Sequence, residues 1–143
     1  MRTRLMMFAF VALVFAAFPI GVQAETRDGV FIHISHGPDD PHRVLMALRM
    51  AEMMSEDKGV LVYFDVKAVG IVLKDAPDIQ FKDFPTAKAQ IKKLSEHKVK
   101  LLVCPGCLKA AGKTAADLAQ GIQIADKTAF FTFTKGRILS LDY

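Results

Sequence analysis

Cys104 and Cys107 are the only two cysteines in the chain, and Pro105-Gly106 separates them. Thiols three positions apart can share a reaction: one attacks a sulfur and the other resolves the product as a disulfide. The apolar run Leu101-Leu102-Val103 precedes the pair and Leu108-Lys109-Ala110-Ala111-Gly112 follows it. That is the pattern of a strand, a tight turn and a helix start. A thiol at a helix N-terminus faces unpaired backbone N–H groups and the positive end of the helix dipole, and both favour thiolate. Cys104, at the strand end, is expected to be the more exposed thiol, and Cys107, about one turn further in, the more shielded. Either the two act as attacking and resolving thiols, or Cys104 alone carries sulfur. A structural disulfide is the weaker reading, because so short a loop restrains little of the unfolded chain. A zinc site wants four ligands. Only His33, His36, His42 and His97 could join the cysteines, without a second Cys-x-x-Cys, so neither a metal nor another cofactor is expected.

The groups that could tune these thiols lie in other loops. His36, in Ser35-His36-Gly37-Pro38-Asp39-Asp40, is a candidate proton donor or anion-binding group. The bland alternative is a solvated or capping histidine. Lys109, just after the cysteines, could lower a thiol pKa, although most surface lysines do not. His33 lies inside an apolar run and reads as a satisfied core residue. Arg43 could hold an anion or simply face solvent. Functional groups in open parallel sheets collect at the carboxyl ends of strands. His36, Asp65 and Cys104 or Cys107 would share one cleft if their strands are neighbours, which sequence does not reveal.

The elements that must position these residues can be read from the pattern. Val30 to Ile34 and Val60 to Phe64 are short, β-rich apolar runs, as buried strands are, and Val99 to Val103 makes a third. Asp40 and Pro41 suit the cap and first position of a helix running to about Ser55. Val44, Leu45, Leu48, Ala51 and Met54 give it one broad apolar face, which Met46, Met50 and Met53 widen. Such a face is either core or partly a subunit contact. Ala68 to Lys74 could form a short helix, and Asp75 to Phe84 reads as a surface excursion. Ala87, Ile91 and Leu94, with Lys88, Lys92 and Lys93 outside them, predict an amphipathic helix from Thr86. Thr114 to Ala119 is a helix or helical turn, and Ile122 to Ala125 a short strand. Asp126 to Lys135 is ambiguous: Phe131 and Phe133 alternate with Thr132 and Thr134, as in a strand. Asp126, Lys135 and Gly136 suit the ends of a helix. A helix is favoured, because a crossover is needed to keep the final strand, Arg137 to Tyr143, parallel. The alternation implies a single-domain α/β sandwich with a mostly parallel five-stranded sheet flanked by helices.

The N-terminus predicts the compartment. Arg2 and Arg4 precede an uncharged apolar run from Leu5 to Phe18, Pro19 and Gly21 break it, and Val22-Gln23-Ala24 precedes Glu25. This is the layout of a secretory signal peptide over residues 1–24. The run is short of the roughly 20 residues of a membrane span, and an uncleaved anchor is the alternative. The mature domain would be residues 25–143, exported to the periplasm and not stably inserted in a membrane. Without Arg2 and Arg4 the formal charge of +4 falls by two. No basic cluster interleaved with aromatics remains, so nucleic-acid binding is not expected. An oxidising compartment would let a close cysteine pair form a disulfide unless something keeps it reduced.

The run Cys104-Pro105-Gly106-Cys107-Leu108-Lys109-Ala110-Ala111-Gly112, with the early strand–loop–helix and the terminal Leu141-Asp142-Tyr143, resembles the DsrE/DsrF-like family, which includes TusD-type sulfur-relay subunits. The resemblance covers nearly the whole mature chain. In that family a cysteine after a strand is followed about eight residues later by glycine, often preceded by arginine. Cys104 and Gly112 match, Ala111 stands where the arginine would, and many members share the second cysteine, here Cys107. The resemblance implies a small α/β fold, trimers or hexamers, and a persulfide on Cys104 passed between sulfur donor and acceptor proteins or small sulfur species. Two other readings stand beside it. A thiol–disulfide oxidoreductase would suit Cys-Pro-Gly-Cys, but thioredoxin-like proteins place a proline after the active cysteines, and Pro105 is the last proline here. A non-enzymatic oligomeric binding protein would make the cysteines incidental.

Overall fold

The structure, a computed structural model, describes residues 26–143; the expected signal peptide lies outside the described residues. Five strands form: β1 (Gly29–Ile34), β2 (Gly59–Phe64), β3 (Lys100–Val103), β4 (Ile122–Ile124) and β5 (Ile138–Asp142). They make one sheet in the order β4-β3-β2-β1-β5, parallel at every pairing. The expected α/β domain with a five-stranded sheet flanked by helices is therefore what the chain builds.

Handedness explains the layering. From β1 to β4 the chain steps across the sheet in one direction, through α1 (Pro41–Met54), α2 (Ala87–Glu96) and α3 (Pro105–Ala110). Right-handed crossovers place these helices on one face. The return from β4 to β5 runs the other way and passes β3, β2 and β1, so its helix, α4 (Lys127–Thr132), belongs on the opposite face. The Asp126 carboxylate accepts the Ala129 N–H at 2.8 Å and caps α4, which resolves the ambiguous stretch as helix.

The first face holds the main core. Alternate strand residues Val30, Ile32, Ile34, Val62, Phe64, Leu101 and Val103 pack with Val44, Leu45, Leu48 and Ala51 of α1 and Ile91 and Leu94 of α2. Each large aliphatic side chain so buried contributes roughly 1.5–3 kcal/mol. Asp40 accepts the Arg43 N–H at 3.1 Å and starts α1; Thr86 accepts the Ala89 N–H at 3.3 Å and starts α2. Glu52 of α1, nearly buried, pairs with Arg49 at 2.8 Å and with Lys93 of α2. The methionines of α1 divide: Met50 and Met54 pack against the core, while Met46 and Met53 are exposed.

The short helix expected at 68–74 is instead a 3-10 turn over Val66–Ile71. Of the two forms expected at 114–119, the chain takes the helical turn, over Ala115–Asp117. The excursion from Asp75 to Phe84 is pinned by the buried side chains of Ala76 and Ile79. No helix among the described residues is long and apolar enough to cross a membrane.

Candidate functional site

The cysteine turn forms as a strand–turn–helix junction. Cys104 is the N-cap of α3 and Pro105 its first residue. The helix ends after six residues because Gly112 takes the left-handed conformation, φ 67°. The Lys113 N–H donates to the Leu108 carbonyl at 3.0 Å and the Gly112 N–H to the Lys109 carbonyl at 2.9 Å. This is a Schellman stop, and it accounts for the spacing between Cys104 and Gly112.

The strand order makes neighbours of β1, β2 and β3, so their carboxyl-end loops lie side by side. The Cys104 N–H donates to the Phe64 carbonyl at 2.9 Å, and the Asp65 N–H to the Ile34 carbonyl at 3.2 Å. Asp65 thus sits between the first loop and the thiols. Side chains alternate along a strand, so Tyr63 and Asp65 share the second face of the sheet. The register sets His33 beside Tyr63 on one side and beside Asp142 on the other.

Both cysteines are half-buried free thiols. Cys104 Sγ accepts the Cys107 N–H at 3.4 Å. Burial opposes ionisation of Cys104, but the Tyr63 phenol, the Cys107 N–H and thiol, and the Gly106 N–H outweigh it and hold this thiol below its ordinary range. Cys107 goes the other way. The Val66 N–H favours its thiolate, but the Cys104 sulfur, burial and the Asp65 charge push it up. The pair therefore ionises first at Cys104, and Cys107 is the partner held as thiol. Burial, and then Cys104, raise the Tyr63 phenol, so Tyr63 stays a neutral donor across physiological pH.

Val66 supplies its N–H from a strained backbone. Its φ is 44°, the left-handed region that glycine or asparagine occupies at least cost and a β-branched residue rarely adopts. Such strain costs on the order of 1–3 kcal/mol and clusters at functional sites. The side chain gains little burial in return, being 61% exposed.

His33 departs from the core position expected of it. Its ring faces the second sheet face, which α4 covers only in part. Nδ1 lies 2.9 Å from Asp142 Oδ1 as a hydrogen bond. Nε2 lies 2.9 Å from Asp65 Oδ1 as an electrostatic contact without good hydrogen-bond alignment. Burial would lower the imidazole pKa, but the two carboxylates outweigh it and raise it. The ring centroid is 5.8 Å from that of Tyr63, and Phe130 of α4 meets Tyr63 edge-on at 5.1 Å.

Cys104, Cys107 and Asp65 thus come together as the strand-end argument anticipated. His36 makes no hydrogen bond or ion pair with them: its Nδ1 lies 3.4 Å from Ser35 Oγ. Lys109 is exposed on α3, and the principal influences on the two thiols come from other groups. Tyr63, Val66 and Asp142 were not singled out from sequence: strand order and register bring Tyr63 and Asp142 here, and no glycine or asparagine marks the left-handed backbone at Val66. Among the described residues no group of three or more His, Cys, Asp or Glu side chains is placed to hold a metal ion. A cavity of about 450 Å³ lies elsewhere, lined by Ile71, Leu73, Lys74, Lys88 and Ile91 among others. An apolar groove of about 370 Å³ runs beneath α4, lined by Phe31, Phe130, Phe131, Phe133 and Ile138.

Comparison with known proteins agrees with this architecture. No curated protein matches the sequence. MTH1491 from Methanobacterium thermoautotrophicum, a protein of unknown function, is similar in structure with a TM-score of 0.53 and 14% identity, over 80% of this chain and 99% of that one. The ychN protein from E. coli is similar with a TM-score of 0.56 and 14% identity, over 80% and 99% of the two chains. The DsrE/DsrF-like family matches residues 28–136. The chain therefore belongs to the DsrE/DsrF-like family, a membership that suggests a role in sulfur relay.

Proposed function

We propose that this is an exported persulfide carrier in which Cys104 accepts a sulfane sulfur and relays it to a partner. The observation that carries the reading is the asymmetry of the thiol pair: Tyr63 and backbone N–H groups stabilise a thiolate at Cys104, while Cys107 is held as thiol. In the loading step the Cys104 thiolate attacks the terminal sulfur of a donor persulfide, R–S–SH. Cys104–S–SH forms and the donor leaves as R–S⁻. In the relay step an acceptor thiolate attacks that terminal sulfur, takes it as its own persulfide and returns Cys104 as thiolate. The donors that stabilise the first thiolate also stabilise Cys104 as leaving group. Alternatively, Cys107 gives up its proton and attacks Cys104 Sγ, so that hydrogen sulfide leaves and a Cys104–Cys107 disulfide remains for an external dithiol to reduce.

The thiols lie at a half-buried surface turn, which suits exchange with a sulfur-bearing residue of another protein or with a small polysulfide. The signal-peptide pattern of residues 1–24 supports export to the periplasm. Phe131 and Ile138, exposed beside the groove under α4, support a homo-oligomeric contact, because apolar patches rimmed by polar surface mark interaction sites. Light scattering of the mature chain tests that part.

The central test is intact mass after treating the reduced protein with polysulfide. One added sulfur on the wild type, absent from Cys104→Ser, is expected. No added sulfur on the wild type, or the same added mass on Cys104→Ser, refutes the carrier. Rapid turnover in an insulin-reduction assay would instead favour a thiol–disulfide oxidoreductase, a reading the closeness of the two thiols keeps in view.

A further inference from the structure

We propose that His33 is a positioning residue that masks charge: held between Asp65 and Asp142, its imidazolium neutralises the carboxylate next to the sulfur pair and so keeps that pair ionisable. The proposal rests on the reading of Cys104 and Cys107 as reactive thiols, and not on the identity of the sulfur they carry.

The geometry favours the cation. A neutral imidazole has one N–H and one lone pair. His33 presents a ring nitrogen to a carboxylate oxygen at 2.9 Å on each side. In a neutral ring, one of those contacts would set a lone pair against a negative oxygen. Only the doubly protonated ring is attracted to both oxygens, through the hydrogen bond to Asp142 and the charge contact with Asp65, and the raised imidazole pKa agrees. Neither carboxylate has another basic partner among the ion pairs of the described residues.

The same geometry shows what the cation is for. Asp65 follows Phe64, whose carbonyl accepts the Cys104 N–H. It precedes Val66, whose N–H favours the Cys107 thiolate. A bare carboxylate at that place opposes any second negative charge nearby, and Asp65 does raise both Cys107 and Tyr63. His33 sets a positive charge against Asp65, and Asp142 on β5 fixes the ring so that it stays there. The remaining surroundings of the imidazole are aromatic: Tyr63 at 5.8 Å and Phe31 at 6.4 Å between ring centroids. From α4, Phe130 closes on Phe31 and Tyr63 and brings no charge. Asp65, Asp142 and the Tyr63 phenol are therefore the titratable groups facing this ring, and the thiols lie beyond Asp65 and Tyr63.

The test is the pH profile of thiol alkylation, with peptide mass mapping to separate Cys104 from Cys107, on the mature chain. The variants are His33→Gln, Asp65→Asn and the double variant, each checked for native circular dichroism. His33→Gln is expected to slow alkylation of the pair at neutral pH roughly three- to tenfold, moving the profile to higher pH. His33→Gln with Asp65→Asn is expected to return to within about twofold of the wild type, because no carboxylate remains to be masked. Asp65→Asn alone is expected to react faster than the wild type, and it keeps the question answerable if His33→Gln does not fold. A wild-type profile in His33→Gln, a double variant as slow as His33→Gln, or no acceleration in Asp65→Asn overturns the proposal. Polysulfide loading is read by mass in the same samples. Failure to load with these profiles intact would remove the carrier function and leave the masking role standing.

Discussion

Replacing Tyr63 with phenylalanine removes one oxygen and leaves the ring that packs against His33, Phe31 and Phe130. That oxygen is the polar group of β2 that favours the Cys104 thiolate. Hydrogen bonds to charged groups are worth about 1.5–3 kcal/mol. Cys104 is half-buried, so water replaces part of the lost donor and the lower end applies. About 1.4 kcal/mol is a factor of ten in an equilibrium, so Tyr63→Phe is expected to lower the Cys104 thiolate population roughly tenfold at neutral pH. The assay is the second-order rate of iodoacetamide reaction at Cys104, followed by peptide mass mapping. The expected result is a roughly tenfold slower reaction at neutral pH, with rates converging at high pH where both proteins are fully ionised. A variant with native circular dichroism that reacts at the wild-type rate would show that the phenol does not support the thiolate. A faster variant would show that burial around Tyr63 controls Cys104.

The stop at Gly112 makes a second prediction. A Cβ there meets nothing within 4 Å, so Gly112→Ala is penalised only for its left-handed backbone, by about 1 kcal/mol, measurable as a lower urea midpoint; Gly112→Asn should lose less. The α1–α2 pairing makes a third. Glu52 is held below the usual carboxylate range, first by Lys93 and against the cost of burial. Its ion pairs therefore add stability that is complete above the ordinary glutamate pKa and is lost as pH falls through its lower folded value. Glu52→Gln should be less stable than the wild type at neutral pH, and the difference should shrink in thermal melts at low pH. The sign reverses for His33, whose folded pKa is raised: its stabilisation is complete below the ordinary histidine pKa and fades as pH rises through the folded value. Melts of wild type and His33→Gln across that range should converge at the alkaline end.

The order of elements was legible because each carries its own local signal. Asp40-Pro41 starts α1, Thr86 starts α2, and the apolar runs at 30–34, 60–64 and 101–103 have strand length and strand composition. The cysteine turn was legible for the same reason. The rest of the site is non-local. Tyr63 and Asp142 reach it only because β1 lies between β2 and β5, and nothing in Val60 to Phe64 or Arg137 to Tyr143 states that order. His33 looked like core because its apolar neighbours on either side do pack into the core. The ring itself lies on the alternate face, where one short helix covers the sheet incompletely. Val66 was silent, since a left-handed residue is normally signalled by glycine or asparagine.

The diagonal return from β4 to β5 also bears on the order of folding. β1, β2 and β3 are joined by successive crossovers and can assemble before the end of the chain is in place. β5 pairs with β1 across more than a hundred residues of chain, Asp142 with His33, and such long-range closures are slow. Until that closure His33 has lost one of its two anchors, and Asp65 is less firmly screened. With Asp65 screened as proposed, the final pairing of β5 with β1 also completes the charge balance beside the thiols.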